Sequence, residues 1–358
     1  MLLTGATGFV GMELLARVLE HTDREVIALV RADDDEAAQA RLDAMLVTLL
    51  APGERPAAGR VRAVAADLEQ PGLGLAPAAR DRVAGQAEAI VHCAASISFS
   101  LPLDEARQVN VDGTREVLRL AEETATRGTL ERVVHVSTAY VAGEREGRVR
   151  ERQGDVGQGF RNTYERTKLE AEGLVHESGL PVAILRPSIV VGDSVTGWTP
   201  AFNVIYWPLQ AFARGLLSTL PSDPDGRVDI VPVDVVADAL LALLEGPLRR
   251  GAFHAVAGDG APTCATLARM AAEAFGVPTP EFVAPGEDPA AEEMAGVMLP
   301  YFRVRCVFDA LRGRALGACP PPLADYFPAL MRYADDARWG KKSTPRWAPA
   351  GEELTPAG

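Results

Sequence analysis

The chain has 358 residues, 47% of them hydrophobic, with 36 Lys and Arg against 49 Asp and Glu and a formal net charge of −13. This size and apolar content can bury a substantial core, as one large domain with a lobe or as two domains. The acidic balance argues against a nucleic-acid partner and against binding an anionic membrane surface by charge alone. No apolar run approaches the roughly 18 to 20 residues that cross a bilayer, so no membrane span is expected. Met1 leads straight into Leu2-Leu3 and a glycine turn, which reads as a first strand and not as a signal peptide. Cys93, Cys264, Cys306 and Cys319 are scattered. Free thiols in a reducing cytoplasm are expected, not a disulfide frame or a metal site.

In chain order, the first half alternates strand and helix. Leu2-Leu3, Val26–Val30, Val61–Ala65, Ala89–His92, Val133–Ser137 and Val182–Leu185 are short apolar runs without polar alternation, as in a parallel sheet covered on both faces. Helical stretches fall between them, at Met12–Glu20, Val111–Thr124 and Thr163–Glu177. After Gly192 the pattern changes. Ala201–Leu217 places Phe202, Ile205, Leu209, Phe212 and Leu216 three or four residues apart, an amphipathic helix. Val228–Val231 and Ala252–Ala257 read as late strands around a helix at Val235–Leu244. The expected fold class is α/β, a doubly wound parallel sheet with a smaller, mainly helical C-terminal lobe.

Two separated pieces carry the chemistry. The first is Thr4-Gly5-Ala6-Thr7-Gly8-Phe9-Val10-Gly11, a glycine-punctuated turn between strand and helix. Small residues there let backbone N–H groups approach a pyrophosphate at a helix N-terminus. Residues Gly5 to Gly11 are thus the candidate dinucleotide cradle, and the sheet is expected to be of Rossmann type. NAD-preferring enzymes of this kind usually close the second strand with an acid. Here Val30 is followed by Arg31, whose planar fork suits a 2′-phosphate, and Arg41 on the next helix is placed to close over it. NADP(H) is the expected cofactor. Asp33, Asp34 and Asp35 come too late for the ribose-binding acid and are expected to point away. The second piece puts Tyr164 and Lys168 four apart, on one helix face. A phenol of pKa about 10 drops by roughly 1 to 3 units beside a cation. Lys168, assisted by the positive nicotinamide of the oxidised cofactor, is therefore expected to bring Tyr164 toward physiological pH as the general acid of a carbonyl reduction.

Together the two pieces resemble the short-chain dehydrogenase/reductase superfamily, in its extended branch. Asp67-Leu68 stands where that family contacts adenine, and His92-Cys93-Ala94-Ala95 where it carries a turn after the fourth strand. Asn110-Val111-Asp112-Gly113-Thr114 matches the helix bearing its Asn, and Arg186-Pro187-Ser188 its Arg-Pro turn. The resemblance implies that Ala94, Ala95, Pro187, Ser188 and Ile189 touch the cofactor. It also implies that Thr138, with Ser137 close behind, supplies the hydroxyl that polarises the carbonyl. Asn110 either holds a water of a proton relay or braces a strand. Rossmann domain boundaries at 1–192 are expected, with 228–258 returning to it, a substrate lobe at 193–227 and 259–340, and a frayed tail at 341–358.

Substrate class rests on a longer resemblance. Ala94 to Ser100 leading into Asn110 to Leu118, and Arg186 to Ser194 followed by Thr196-Gly197-Trp198, look like the thioester-reductase and fatty-acyl-reductase group. Reduction of an acyl thioester on coenzyme A or a carrier protein, to aldehyde or alcohol, is implied. Many members have Trp after the catalytic Lys, where this chain has Leu169. A carrier would arrive in trans, received by a basic patch such as Arg303, Arg305, Arg312 and Arg314. Ser96, Phe99, Thr138, Phe202, Tyr206 and Trp207 are the candidate substrate-binding residues, and a monomer or homodimer is expected. The alternatives are a ketone or hydroxysteroid-like alcohol dehydrogenase, a sugar-nucleotide epimerase or dehydratase, and a cofactor-sensing regulatory protein.

Overall fold

The computed structural model describes residues 1–202, 205–342 and 344–348. The first half runs β1 (Leu2–Thr4), α1 (Phe9–His21), β2 (Val26–Val30), α2 (Asp35–Leu49), β3 (Val61–Ala65), α3 (Pro77–Gln86) and β4 (Ala89–His92). It continues with α4 (Leu103–Arg107), α5 (Gly113–Thr126), β5 (Arg132–Val136), β6 (Gly147–Val149), α6 (Thr163–Glu177), β7 (Val182–Pro187) and β8 (Ile189–Val191). A single π turn, Gln108–Asp112, joins α4 to α5. Then come α7 (Tyr206–Ala213), β9 (Thr219–Leu220), β10 (Ile230–Pro232), α8 (Val233–Glu245), β11 (Gly251–Ala255) and α9 (Cys264–Phe275). The chain closes with β12 (Glu281–Phe282), α10 (Pro289–Ala295), β13 (Cys306–Phe308), α11 (Leu311–Arg314) and α12 (Leu323–Asp336).

Seven strands form one parallel sheet in the order β11-β7-β5-β4-β1-β2-β3. The order reverses beside β1, and in such sheets that switch point opens a crevice at the carboxyl ends of the strands. Successive strand residues face opposite layers, so each strand feeds two cores. Leu3, Val91 and Val134 pack with Leu15 of α1, Leu42 of α2 and Leu240 of α8. Leu2, Ile90 and Val133 pack with Val83 of α3, Leu120 of α5 and Val175 of α6. A third core, around Phe212, Leu267, Phe302, Tyr326 and Phe327, builds the C-terminal lobe.

Four expectations change. The helix expected over Ala201–Leu217 shortens to Tyr206–Ala213, ended by Gly215 at φ 68; Asn203 and Val204 lie outside the described residues. The strand expected at Val228–Val231 forms at Ile230–Pro232 and pairs with β8 in a separate two-stranded sheet, not with the main one. The strand expected at Ala252–Ala257 becomes β11, at the sheet edge beside β7. Of the tail expected to fray, Thr344–Ala348 is tied down: Arg346 bridges Glu13 (2.8 Å) and Glu20 (2.6 Å) of α1, and Trp198 Nε1 donates to the Thr344 carbonyl at 2.9 Å. Ser343 and residues 349–358 lie outside the described part.

Candidate active site

A groove of about 710 Å³ crosses the carboxyl ends of β1, β2, β4, β5 and β7, at the switch point. The glycine turn forms its floor. Gly5 takes φ 73, and a Cβ there would lie 2.7 Å from the Ala94 nitrogen, so only glycine lets the turn close against the end of β4. A Cβ on Gly11 would sit 2.0 Å from the Gly5 carbonyl oxygen. Thr4 Oγ1 accepts the Ala94 N–H at 3.2 Å and meets His92 Nδ1 at 2.7 Å, stitching turn to strand. Helix α1 then starts at Gly8 with no side-chain cap and no acid in its first turn. Its leading N–H groups stay free, which suits an anion.

Of the glycine-turn residues, Gly5, Thr7, Gly8, Phe9, Val10 and Gly11 line the groove. Ala6 does not: it is fully buried under the turn. Arg31, Arg41, Asp67, Leu68, Ala94, Ala95, Pro187, Ser188 and Ile189 line it as well. Arg31 is largely exposed, with its guanidinium 3.7 Å from Glu69, and Arg41 donates to the Arg31 carbonyl. Asp34 caps α2 through the Ala37 N–H, and Asp35 accepts the Ala65 N–H, which accounts for the acids after β2. Ser137 Oγ is buried at the groove wall without a protein partner. An uncapped helix start, two arginines at one end and an orphaned hydroxyl near the other fit a nicotinamide dinucleotide.

Helix α6 delivers Tyr164 and Lys168 into the same groove as Ser137 and Thr138. Their electrostatics are set first by burial. Burial pushes the Tyr164 phenol up to about 12, and a hydrogen bond with the Thr138 hydroxyl pulls the other way. Lys168 does not tune it here. Its ammonium donates to the Val136 carbonyl at 2.8 Å, and burial lowers it to about 8. Tyr164 is thus a neutral phenol across the physiological range, a proton donor and not a phenolate. Beneath it, burial holds His92 down to about 3 and lifts Cys93 up to about 12. Asn110 uses its side-chain bonds for bracing. Its amide oxygen accepts the Ser96 N–H at 2.8 Å, and its Nδ2 donates to the Ser96 carbonyl and to Thr167 Oγ1 at 3.0 Å. It clamps the loop after β4 to the catalytic helix from inside the π turn.

The other half of the groove is aromatic and aliphatic. Ser96, Phe99 and Tyr206 line it as expected, with Ile97, Leu101, Tyr140, Ala201 and Tyr301. Phe202 does not: half-buried, it stacks on Tyr333 and meets Tyr206 edge-on, packed against the core. Trp207 is turned to solvent, 57% exposed. Both sit near Tyr206 in sequence, but the short helix presents only one face to the groove. Sequence reasoning missed Tyr301, which sits in a 3₁₀ segment far from any motif. It also missed Glu69, one residue past the adenine motif. Of the four arginines expected as a carrier patch, three have partners within the chain. Arg303 and Arg305 bond Pro221 and Asp223, while Arg312 lies over Phe253 and donates to the carbonyls of Arg250 and Ala252.

The family model of the male sterility protein matches residues 3–240. The chain belongs to that family. It is 36% identical over 250 residues to isonitrile lipopeptide synthase of Streptomyces coeruleorubidus, covering 69% of this chain and 16% of that protein. It is 32% identical over 278 residues to fatty acyl-CoA reductase 1 of Mus musculus, covering 68% and 53%. The chain therefore spans about half, or far less, of the length of these relatives. Among solved structures, the terminal R domain from the myxalamid PKS-NRPS pathway superposes with a TM-score of 0.80 at 28% identity, over 95% of this chain and 91% of that one. A UDP-glucuronic acid 4-epimerase from Bacillus cereus reaches 0.66 at 19% identity, over 92% and 96%, a likeness of fold. Within the family, the glycine turn, Tyr164 and Lys168 place the chain among extended short-chain NAD(P)-dependent oxidoreductases with a Rossmann sheet. Among the described residues no helix is long and apolar enough to cross a membrane.

Proposed function

We propose that the protein is an NADPH-dependent reductase of acyl thioesters, carried on coenzyme A or on a carrier protein, giving aldehyde or alcohol. The observation that carries this reading is the meeting of Thr138 and Tyr164 hydroxyls at the junction of a dinucleotide cradle and an apolar, aromatic-walled half-groove. In this reading Gly5 to Gly11 cradle the pyrophosphate, Arg31 and Arg41 take the 2′-phosphate, and Lys168 holds the ribose near the nicotinamide. When bound, the reduced nicotinamide supplies hydride to the carbonyl carbon. The chain's own residues do the rest. Thr138 and Tyr164 hold the carbonyl oxygen, and Tyr164 protonates it as charge develops. The resulting hemithioacetal loses its hydroxyl proton to the sulfur as the carbon–sulfur bond breaks, so the thiol leaves protonated and an aldehyde remains; solvent reprotonates Tyr164, and alcohol requires a second NADPH. Phe99, Tyr140 and Tyr206 give a lipophilic acyl group an apolar wall that a sugar nucleotide would not use.

The test is NADPH and NADH oxidation against a panel of acyl thioesters, aldehydes, ketones and UDP-sugars. The reading expects thioester turnover with NADPH, rising with acyl length by up to about 0.8 kcal/mol per buried methylene until the wall is covered. Activity confined to UDP-sugars or to ketones would overturn it.

A further inference from the structure

The C-terminal lobe sends one aromatic residue, Tyr301, across to the catalytic helix. Its ring stacks on Phe99 at 5.2 Å and stands edge-on to Tyr140 at 4.9 Å, and Phe99 in turn lies 5.8 Å from the Tyr164 ring. Its hydroxyl accepts from Asn162 Nδ2 at 2.8 Å and lies beside the buried Glu165 carboxylate. Asn162 is the N-cap of α6, with its amide oxygen accepting the Glu165 N–H at 3.0 Å. Glu165, fully buried, also takes the Arg161 N–H at 3.1 Å and its guanidinium at 3.0 Å. One phenol thus completes the cap of the helix that carries Tyr164, and it comes from a different part of the chain.

We propose that Tyr301 is a positioning residue with two separable roles: its hydroxyl latches the lobe to the N-terminus of α6 and fixes Tyr164, and its ring walls the acyl site with Phe99. The second role rests on the acyl-thioester reading; the first does not. Without the hydroxyl, Asn162 stays the N-cap but its Nδ2 loses its partner, so the cap side chain is held less firmly; a loosened first turn moves Tyr164, which lies in that turn, before it moves Lys168 one turn further in. Losing the hydroxyl should therefore lower turnover and leave cofactor binding alone. Losing the ring as well should also weaken substrate binding.

The experiment compares wild type, Tyr301→Phe and Tyr301→Leu, with NADPH affinity measured by titration and hydrogen exchange read over 161–168 in the NADPH-bound protein. For Tyr301→Phe the expected result is a drop in kcat of about ten- to thirtyfold, KM and NADPH Kd within twofold of wild type, and faster exchange in the first turn of α6 only. Tyr301→Leu should add a rise in KM for the thioester. A Tyr301→Phe protein with wild-type kcat and wild-type exchange would overturn the latch. So would one whose NADPH affinity falls as far as its kcat, because that would mark general loosening. A wild type that reduces no thioester would remove the acyl-wall role, while the exchange arm would still decide the latch.

Discussion

At the scale of single residues, the buried phenol bears most directly on the chemistry. Tyr164→Phe should fold, bind NADPH with unchanged affinity and lose about a hundredfold to ten-thousandfold in turnover, since only the proton donor is removed. Stopped-flow oxidation with parallel cofactor titration checks it, and retained activity would move the acid to Ser137 or water. In its proposed role of holding the ribose, Lys168 sets the pH profile. Its ammonium, lowered to about 8 by burial, is charged below that value and neutral above it, so cofactor affinity should be full at pH 7 and fall as pH rises through 8. Tyr164 at about 12 stays protonated across the same window and contributes nothing to that fall. At the ribose end, Arg31→Ala should cost NADPH roughly tenfold to a hundredfold and leave NADH unchanged, one charge-assisted contact being worth about 1.5 to 3 kcal/mol. Equal wild-type affinities for the two cofactors would sink the assignment.

At the scale of elements, the turn between β1 and α1 has almost no tolerance. Gly11→Ala would drive a Cβ to within 2.0 Å of the Gly5 carbonyl oxygen, so the turn must open and dinucleotide binding should be lost while the rest of the sheet survives. Binding titration with circular dichroism separates these outcomes. This turn was legible in sequence because glycine at fixed spacing reports a backbone constraint. The sheet was legible for a related reason: strands such as Val26–Val30 are buried on both faces and read as unbroken apolar runs. What escaped has physical causes. The π turn under Asn110 leaves no mark on periodicity, yet it decides that this amide clamps Ser96 and Thr167. Trp207 and Tyr206 are neighbours with opposite fates, because helix rotation, not composition, decides which one meets the groove. Tyr301 enters through tertiary packing alone.

At the scale of the whole molecule, the segment around Arg346 closes the chain back onto α1. Glu13 is fully buried, and burial raises its carboxyl even with Arg346 paired to it. Arg346→Ala should destabilise by about 1 to 3 kcal/mol, because it removes two hydrogen bonds from buried Glu13 and leaves it only Arg17 at 3.4 Å, and Glu13→Gln in the same chain should restore part of the loss. Thermal melts of the single and double variants decide this; equal Tm values for both would show that the pair is not coupled. Acid stability follows from buried histidines. His92 and His254 are both held down to about 3, so their neutral forms stabilise the fold fully above the unfolded value of 6.5. That stability is lost as pH falls from 6.5 toward 3, a larger effect than the opposite one from Asp229, raised to about 6. Unfolding midpoints should therefore drop below pH 6. The central claim, that cradle, phenol and apolar wall act together on an acyl thioester, is tested most directly by following label. NADPH deuterated at the transferring position, incubated with a long-chain acyl thioester, should yield aldehyde or alcohol with deuterium on the former carbonyl carbon, in wild type and not in Tyr164→Phe. An unlabelled or unreduced thioester in wild type would contradict the account.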